Sequence, residues 1–396
     1  MGRRCGCPRL LPEGSSAGGG LMILHSFDYP PTHGGISRLC AEVAIGLDRR
    51  GACVRILGQA AEGTGGSSIP ALLEDRVTSR RPWREWQALR HLWRSRSDRS
   101  AVLCGIWYPE GLLATLAGIR PRVIMAHGSE LMPPRARWRR GIWRRLQRLV
   151  LGSADLVLAD SEYTLGLVLA SAPKSRAVAV PLAVDHRRFC PGNRAAAKAR
   201  FDVEDRLVLS SVSRIQAYKG HETVFRAMAA MPSPLRDRFI YLVAGRGPDV
   251  GLLRARTEEL GVTDLVRWLG YVAEEDLPEL YRATDLFVLC TRETPEFQEV
   301  EGFGLVFLEA QACGTPVVGT STGGIPDAIA HQDGGWLIEA DDVQGLSDLL
   351  LELGERPESF RRAGEAARLR VEREWTWEHY LGRLQRTLHA EGIDLG

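Results

Sequence analysis

Lysine is nearly absent from this chain. Lys174, Lys198 and Lys219 are the only lysines among 51 basic residues, so each marks a position where the prevailing arginine was not used. Long apolar runs are absent too. None reaches the roughly eighteen residues that a membrane-spanning helix needs. The eight cysteines lack metal-site spacing, and only Cys5 and Cys7 lie close together. That pattern implies reduced thiols in a cytoplasmic protein. Arg3 and Arg4 could open a secretory leader, but Pro8, Pro12, Glu13 and a Gly/Ser cluster interrupt its apolar region. A strong charge of one sign is also missing. The net charge of +2 makes no case for nucleic acid as a partner of the whole chain.

What is present is a chain of 396 residues with a 44% hydrophobic share, enough for two or three globular domains. Residues 1–20 carry Gly, Ser, Pro and Arg without periodicity and read as a disordered extension. Met22 is a second candidate start. From there, short apolar strands alternate with amphipathic helices. Val54–Leu57, Ala101–Cys104, Val123–Ala126, Leu156–Ala159 and Val178–Val180 read as strands of a first half. Helices are expected at 36–50, 86–94, 110–116, 137–150 and 162–169. The alternation restarts after Asp185, with strands at 207–212, 239–244, 266–269, 286–289, 316–319 and 335–338. Two parallel-sheet domains follow, 21–184 and 185–373, with a final helix in 374–396.

In such sheets ligands bind beyond the C-terminal strand ends. Several residues fall there. Gly34 and Gly35 close the loop after a first strand at Leu21–Ser26 and open a helix, where backbone can approach an anion. His127 follows the strand at Val123–Ala126. Arg214 and Lys219 follow the first strand of the second half and suit a diphosphate, one as a fork and one as a point charge. Gly245 to Gly251 has too loose a spacing for a dinucleotide fingerprint and reads as a tight turn.

The most patterned stretch runs from Glu293 to Asp327. Glu301 and Glu309 stand eight residues apart around Gly302-Phe303-Gly304. Leu305 to Cys313 reads as a helix stopped by Gly314 and Pro316, with free N–H groups near Gly304 and Leu305. Taken alone, Glu301 reads equally well as a helix cap and Glu309 as a satisfied core acid. A buried Glu309 requires a polar partner.

The segment Arg135 to Arg148 holds seven Arg in fourteen residues, no acid, and Trp138 and Trp143. It fits an anionic membrane surface or an anionic acceptor. It also fits a plain helix that buries Trp138, Ile142, Leu146 and Leu149.

Together these motifs resemble the retaining glycosyltransferases of family 4, over residues 21 to 390. The most specific is E-x7-E at Glu301 and Glu309. It is joined by SR-x4-KG at Ser213 to Gly220, DYPPTHGGIS, the HG at His127, and STGGIPD. The wording is most similar to the phosphatidylinositol mannosyltransferase-like subgroup. The resemblance implies the GT-B fold, in which two Rossmann-like domains face across a cleft and the last helix crosses back to the first domain. It implies transfer of a hexose-type sugar from a UDP- or GDP-sugar to a hydroxyl acceptor in glycolipid, polysaccharide or metabolite glycosylation.

Roles carry over by position. Gly34 and Gly35 face the donor phosphate or the acceptor. His127 touches the transferred sugar, and Arg214 and Lys219 hold the diphosphate. Glu301 binds sugar hydroxyls, backbone at Phe303, Gly304 and Leu305 caps the sugar and distal phosphate, and Glu309 takes the ribose. Glu299 could compete for the first carboxylate role, but only Glu301 gives the x7 spacing. The D-x-D pattern that holds a metal in other transferases is missing, so neither metal nor cofactor is expected. The expected protein is cytoplasmic, with peripheral contact at the inner face of the cell membrane as an option. A non-catalytic sugar-nucleotide-binding protein and a dinucleotide oxidoreductase remain the competing classes.

Overall fold

A computed structural model describes residues 21–30, 32, 34–60, 72–98, 100–134, 136–294 and 299–393. The extension expected at 1–20 and the arginine at 135 lie outside the described residues. Runs rich in Val, Ile and Leu form strands whose side chains are buried on both faces, as parallel sheets require. In the first domain these are β1 (Leu21–His25), β2 (Cys53–Gln59), β3 (Leu73–Val77), β4 (Ala101–Cys104), β5 (Arg122–Ala126), β6 (Leu156–Ala159) and β7 (Ala177–Ala179). They pair in parallel in the order β3-β2-β1-β4-β5-β6-β7. The second domain has β8 (Leu207–Val212), β9 (Phe239–Ala244), β10 (Val266–Gly270), β11 (Leu286–Leu289), β12 (Val317–Thr320) and β13 (Gly335–Ile338), ordered β10-β9-β8-β11-β12-β13. The strand order reverses beside β1 and again beside β8. A crevice opens at each of these switch points, and the two crevices face one another.

Helices cover both faces of the first sheet. On one face lie α1 (Gly35–Arg49) and the last helix, Trp377–Ala390. Tyr380, Leu381, Leu384 and Leu388 of that helix join the first domain's core. Gly46 lets Leu381 press against α1: a methyl group there would sit 2.2 Å from the leucine Cδ1. The other face carries α2 (Trp83–Ser95), α3 (Leu112–Ala117), α4 (Arg140–Gly152) and α5 (Glu162–Ser171). The chain crosses between domains near 181–185 and again near 375–377, where the Val184 N–H donates to the Trp375 carbonyl at 2.9 Å.

Two expectations need correction. β3 was not anticipated, because Glu74, Asp75 and Arg76 give this edge strand a polar reading. The basic segment begins its α-helix only at Arg140, after one 3-10 turn at Arg137–Arg139, and of the stripe assigned to it only Leu146 packs against the core. Trp138, Ile142 and Leu149 are 77%, 66% and 57% exposed. Gln147, Val150 and Leu151 face the core instead. Gln147 can do so because its side-chain amide donates to the Leu131 carbonyl at 2.8 Å. No helix among the described residues is long and apolar enough to cross a membrane.

Candidate active site

The first domain's wall is built from the ends of β1, β4, β5 and β6. Gly34 caps α1 with φ near +142°, a conformation open to glycine, and no side chain caps the helix. The first N–H groups of α1 are therefore free of a side-chain cap at the cleft edge. The start of this loop is pinned by Glu110, which is fully buried and accepts the Phe27 N–H at 3.0 Å. Its second oxygen has no hydrogen-bond partner among the described residues. Burial pushes its pKa up to about 7.

A folded pKa above the ordinary carboxylate value gives stability that is present below that value and lost as pH rises through 7. Glu110→Gln keeps the acceptor and removes the charge. Thermal melts should show the variant close to wild type at pH 4 and more stable at pH 8, by on the order of 3 kcal/mol. Equal melting at both pH values would refute the buried charge.

His127 follows β5. Its Nε2 lies 2.9 Å from the Gly105 carbonyl, and its Nδ1 lies 3.6 Å from an Asp160 oxygen. Both ring nitrogens thus face acceptors. Burial lowers the imidazole pKa, but Asp160 and Glu130 outweigh it and raise the value to about 9. The ring is an imidazolium at neutral pH.

The second domain's wall carries the charged groups. Arg214 ends β8 exposed and makes no ion pair among the described residues. A 3-10 turn, Ala217–Lys219, then brings the Lys219 ammonium under the cleft, where it is 8% exposed. Gly220 closes that turn at φ +75°, and any Cβ there would lie 1.8 Å from the Cys290 carbonyl. Lys219 donates to Glu301 Oε2 at 2.6 Å. Burial lowers the lysine pKa, but Glu301 overcomes it and the ammonium stays charged. His221 behind it is kept neutral, its pKa lowered to about 3 by burial and by the Lys219 charge.

Gly304, at φ +88°, starts the helix Leu305–Ala312, again without a side-chain cap. The STGG loop supports this start, with the Gly324 N–H donating to the Glu301 carbonyl at 2.9 Å.

The two walls touch. The Ser161 hydroxyl donates to the Gly302 carbonyl at 2.6 Å, and the Glu162 N–H donates to Asp327 at 2.6 Å. Between the walls is a pocket of about 610 Å³ including its open mouth. His127, Asp160, Glu301, Gly304, Leu305 and Arg38 are among its lining. Gly35 and Phe303 also line it, and Gly34 sits at its edge. Lys219 reaches the pocket through Glu301. Arg214 stands apart at the end of β8 and does not line this pocket.

Glu309 is placed differently from the other expected residues. It is 4% exposed and lies behind Arg38. Arg38 Nη1 donates to one of its oxygens at 2.7 Å, and the Tyr281 hydroxyl donates to the other at 2.9 Å. Burial raises the Glu309 pKa, and Arg38 and Tyr281 pull it back.

Arg38, Tyr281, Asp160 and Glu274 were not foreseen. The burial of Glu309 signalled that a partner was needed. Nothing local in the sequence identifies a guanidinium 271 residues away.

Comparison with known proteins agrees with this geometry. Residues 33–188 match the family model described as Glycosyltransferase Family 4. Residues 193–370 match the one described as Glycosyl transferases group 1. A GDP-mannose-dependent alpha-(1-6)-phosphatidylinositol monomannoside mannosyltransferase of Mycolicibacterium smegmatis is 31% identical over 284 residues, spanning 70% of this chain and 72% of that one. The similarly named enzyme of Mycobacterium tuberculosis is 29% identical, over 72% of this chain and 76% of its own length. Among solved structures, Anabaena HepE in complex with UDP-glucose superposes with a TM-score of 0.76 at 18% identity, over 93% of this chain and 99% of that one. The chain belongs to the group 1 and family 4 glycosyltransferases and has their GT-B fold.

Proposed function

We propose that this glycosyltransferase moves a hexose from a UDP- or GDP-sugar to a hydroxyl acceptor, with retention and without a metal ion. The observation that carries the reading is the buried Lys219–Glu301 pair beside the uncapped helix start at Gly304, with His127 among the residues lining the same pocket. Negative charge grows on the departing diphosphate as the sugar becomes oxocarbenium-like. Lys219, Arg214 and the helix N–H groups supply the opposing positive field. Glu301, held by Lys219, is oriented to accept from sugar hydroxyls, and Glu309 is assigned the ribose. Glu301 is paired with Lys219 and Asp160 faces His127, so neither pocket carboxylate is assigned as a nucleophile. The acceptor oxygen attacks the anomeric carbon on the face the diphosphate leaves, the C–O electron pair goes to the phosphate, and a phosphate oxygen takes the acceptor's proton.

Support for the donor class comes from relatives named as GDP-mannose-dependent and from a neighbour solved with UDP-glucose. A panel of UDP- and GDP-sugars, with NMR of the product's anomeric proton, tests the reading. An inverted product would end the front-side mechanism.

The acceptor side is proposed to meet an anionic membrane surface. Among the described residues, nine of the twelve exposed large apolar side chains lie on or beside α2 to α5, including Trp83, Trp86, Trp93 and Trp138. Arg139, Arg144 and Arg145 stand among them without acidic partners in α4. Exposed Trp next to unpaired Arg suits an anionic headgroup layer. Liposomes rich in phosphatidylserine should float with the wild type. A variant with Arg139, Arg140, Arg144 and Arg145 changed to Gln should stay in the dense fraction. Equal flotation of both proteins removes the proposal.

A further inference from the structure

Arg38 occupies an unusual place. It projects from α1 in the first domain, yet among the described residues both of its side-chain hydrogen bonds are to the second. Nη1 donates to Glu309 at 2.7 Å, and Nη2 donates to Glu274 at 2.9 Å. Its guanidinium also lies 5.8 Å from the ring of Phe189, in the segment that joins the domains. Arg38 lines the pocket while Glu309 is nearly sealed, so the arginine stands between the cleft and the carboxylate. The two halves of the contact differ in strength. Glu274 is about half exposed, shares Arg188, and holds Arg38 weakly. The Glu309 side chain is 5% exposed, and it holds Arg38 in a water-poor setting.

We propose that Arg38 is a displaceable cross-domain latch: it occupies the Glu309 carboxylate in the empty enzyme, and the donor's ribose hydroxyls must take its place. The proposal rests on Glu309 being the ribose acid. A vicinal diol needs open acceptor positions on a carboxylate, and here one oxygen faces Arg38 and the other Tyr281. Arg38 moves off onto Glu274, which remains as its resting partner on the cleft rim. The latch therefore sets donor affinity, and with Arg38 still bridged to Glu274 the tie between the two walls loosens without breaking. In this role Arg38 is a positioning residue, acting through Glu309 rather than on the reacting atoms.

Two variants separate the possibilities. Arg38→Gln removes the latch, and Glu274→Gln weakens one anchor while leaving Glu309 untouched. Small-angle scattering of the empty proteins should show wild type compact and Arg38→Gln opened, with Glu274→Gln between them. Calorimetric titration with UDP and GDP should show tighter binding of the accepted nucleotide by Arg38→Gln, by about tenfold, the scale of one charge-assisted hydrogen bond released. The donor KM should fall accordingly, and by a larger factor than any change in kcat. Weaker nucleotide binding by Arg38→Gln would overturn the proposal and make Arg38 a donor ligand. Unchanged binding together with unchanged scattering would also overturn it. If no variant binds either nucleotide, the donor assignment fails, and the scattering of the empty proteins alone still decides whether Arg38 holds the domains together.

Discussion

Lys219→Ala lowers kcat/KM by at least about a hundredfold, the scale of losing one preorganised charge at a developing anion. The effect is large because this ammonium is nearly buried, at 8% exposed, and has Glu301 as its close partner. In a water-poor cleft a fixed cation near the diphosphate, the role proposed for Lys219, is worth far more than in water. Removing it also strands Glu301, whose carboxylate loses the partner that orients it toward the sugar hydroxyls it is proposed to bind. The domain itself stays folded, because the turn is set by Gly220 and by the Lys219 N–H bonded to the Gln216 carbonyl. Lys219→Arg keeps the charge but spreads it over a planar fork, and it should recover only part of the loss. Steady-state kinetics with the accepted donor, beside thermal melts, checks this. A Lys219→Ala enzyme working within a few-fold of wild type would show that the diphosphate is held elsewhere.

Gly302→Ala is expected to be nearly as damaging for a purely steric reason. A methyl group on Gly302 would lie 2.0 Å from the carbonyl oxygen of His127, on the opposite wall. Neither atom belongs to a flexible side chain, so the walls must part or the Glu301 loop must shift. The Ser161 bond to the Gly302 carbonyl would be broken in the same movement. A displacement of an ångström or so at a transfer site costs on the order of a hundredfold in rate. Gly251→Ala is the control, since its added methyl meets nothing within 4 Å. Scattering should show Gly302→Ala opened and Gly251→Ala unchanged, with activity lost only in the first. Full turnover by Gly302→Ala would mean that the closed contact has no part in catalysis.

The fold was legible wherever a strand is buried on both faces. Leu207–Val212 and Phe239–Ala244 are continuous apolar runs with clear ends, and the structure has them at those bounds. β3 was not legible because an edge strand buries little and can carry Glu74, Asp75 and Arg76. The buried face of α4 was only partly legible, because Trp138, Ile142 and Leu149 of the apolar stripe point to solvent while Leu146 packs inward. The core side is completed by a glutamine that finds a backbone partner. Helical period gives the width of a stripe, not the direction it faces. In the site, Glu301 lines the pocket and the helix starts after Gly304, the positions the E-x7-E spacing suggested. That spacing gave no hint that Lys219 pairs with one carboxylate and Arg38 with the other, since both partners arrive through tertiary folding.

Calorimetric titration of wild type, Lys219→Ala and Glu309→Gln with UDP, GDP and NAD tests the central claim most directly. The account predicts one-to-one binding of UDP or GDP by the wild type. Both variants should bind that nucleotide at least about tenfold more weakly, and NAD should give no heat of binding. Binding of NAD alone, or nucleotide binding untouched by both substitutions, would contradict it.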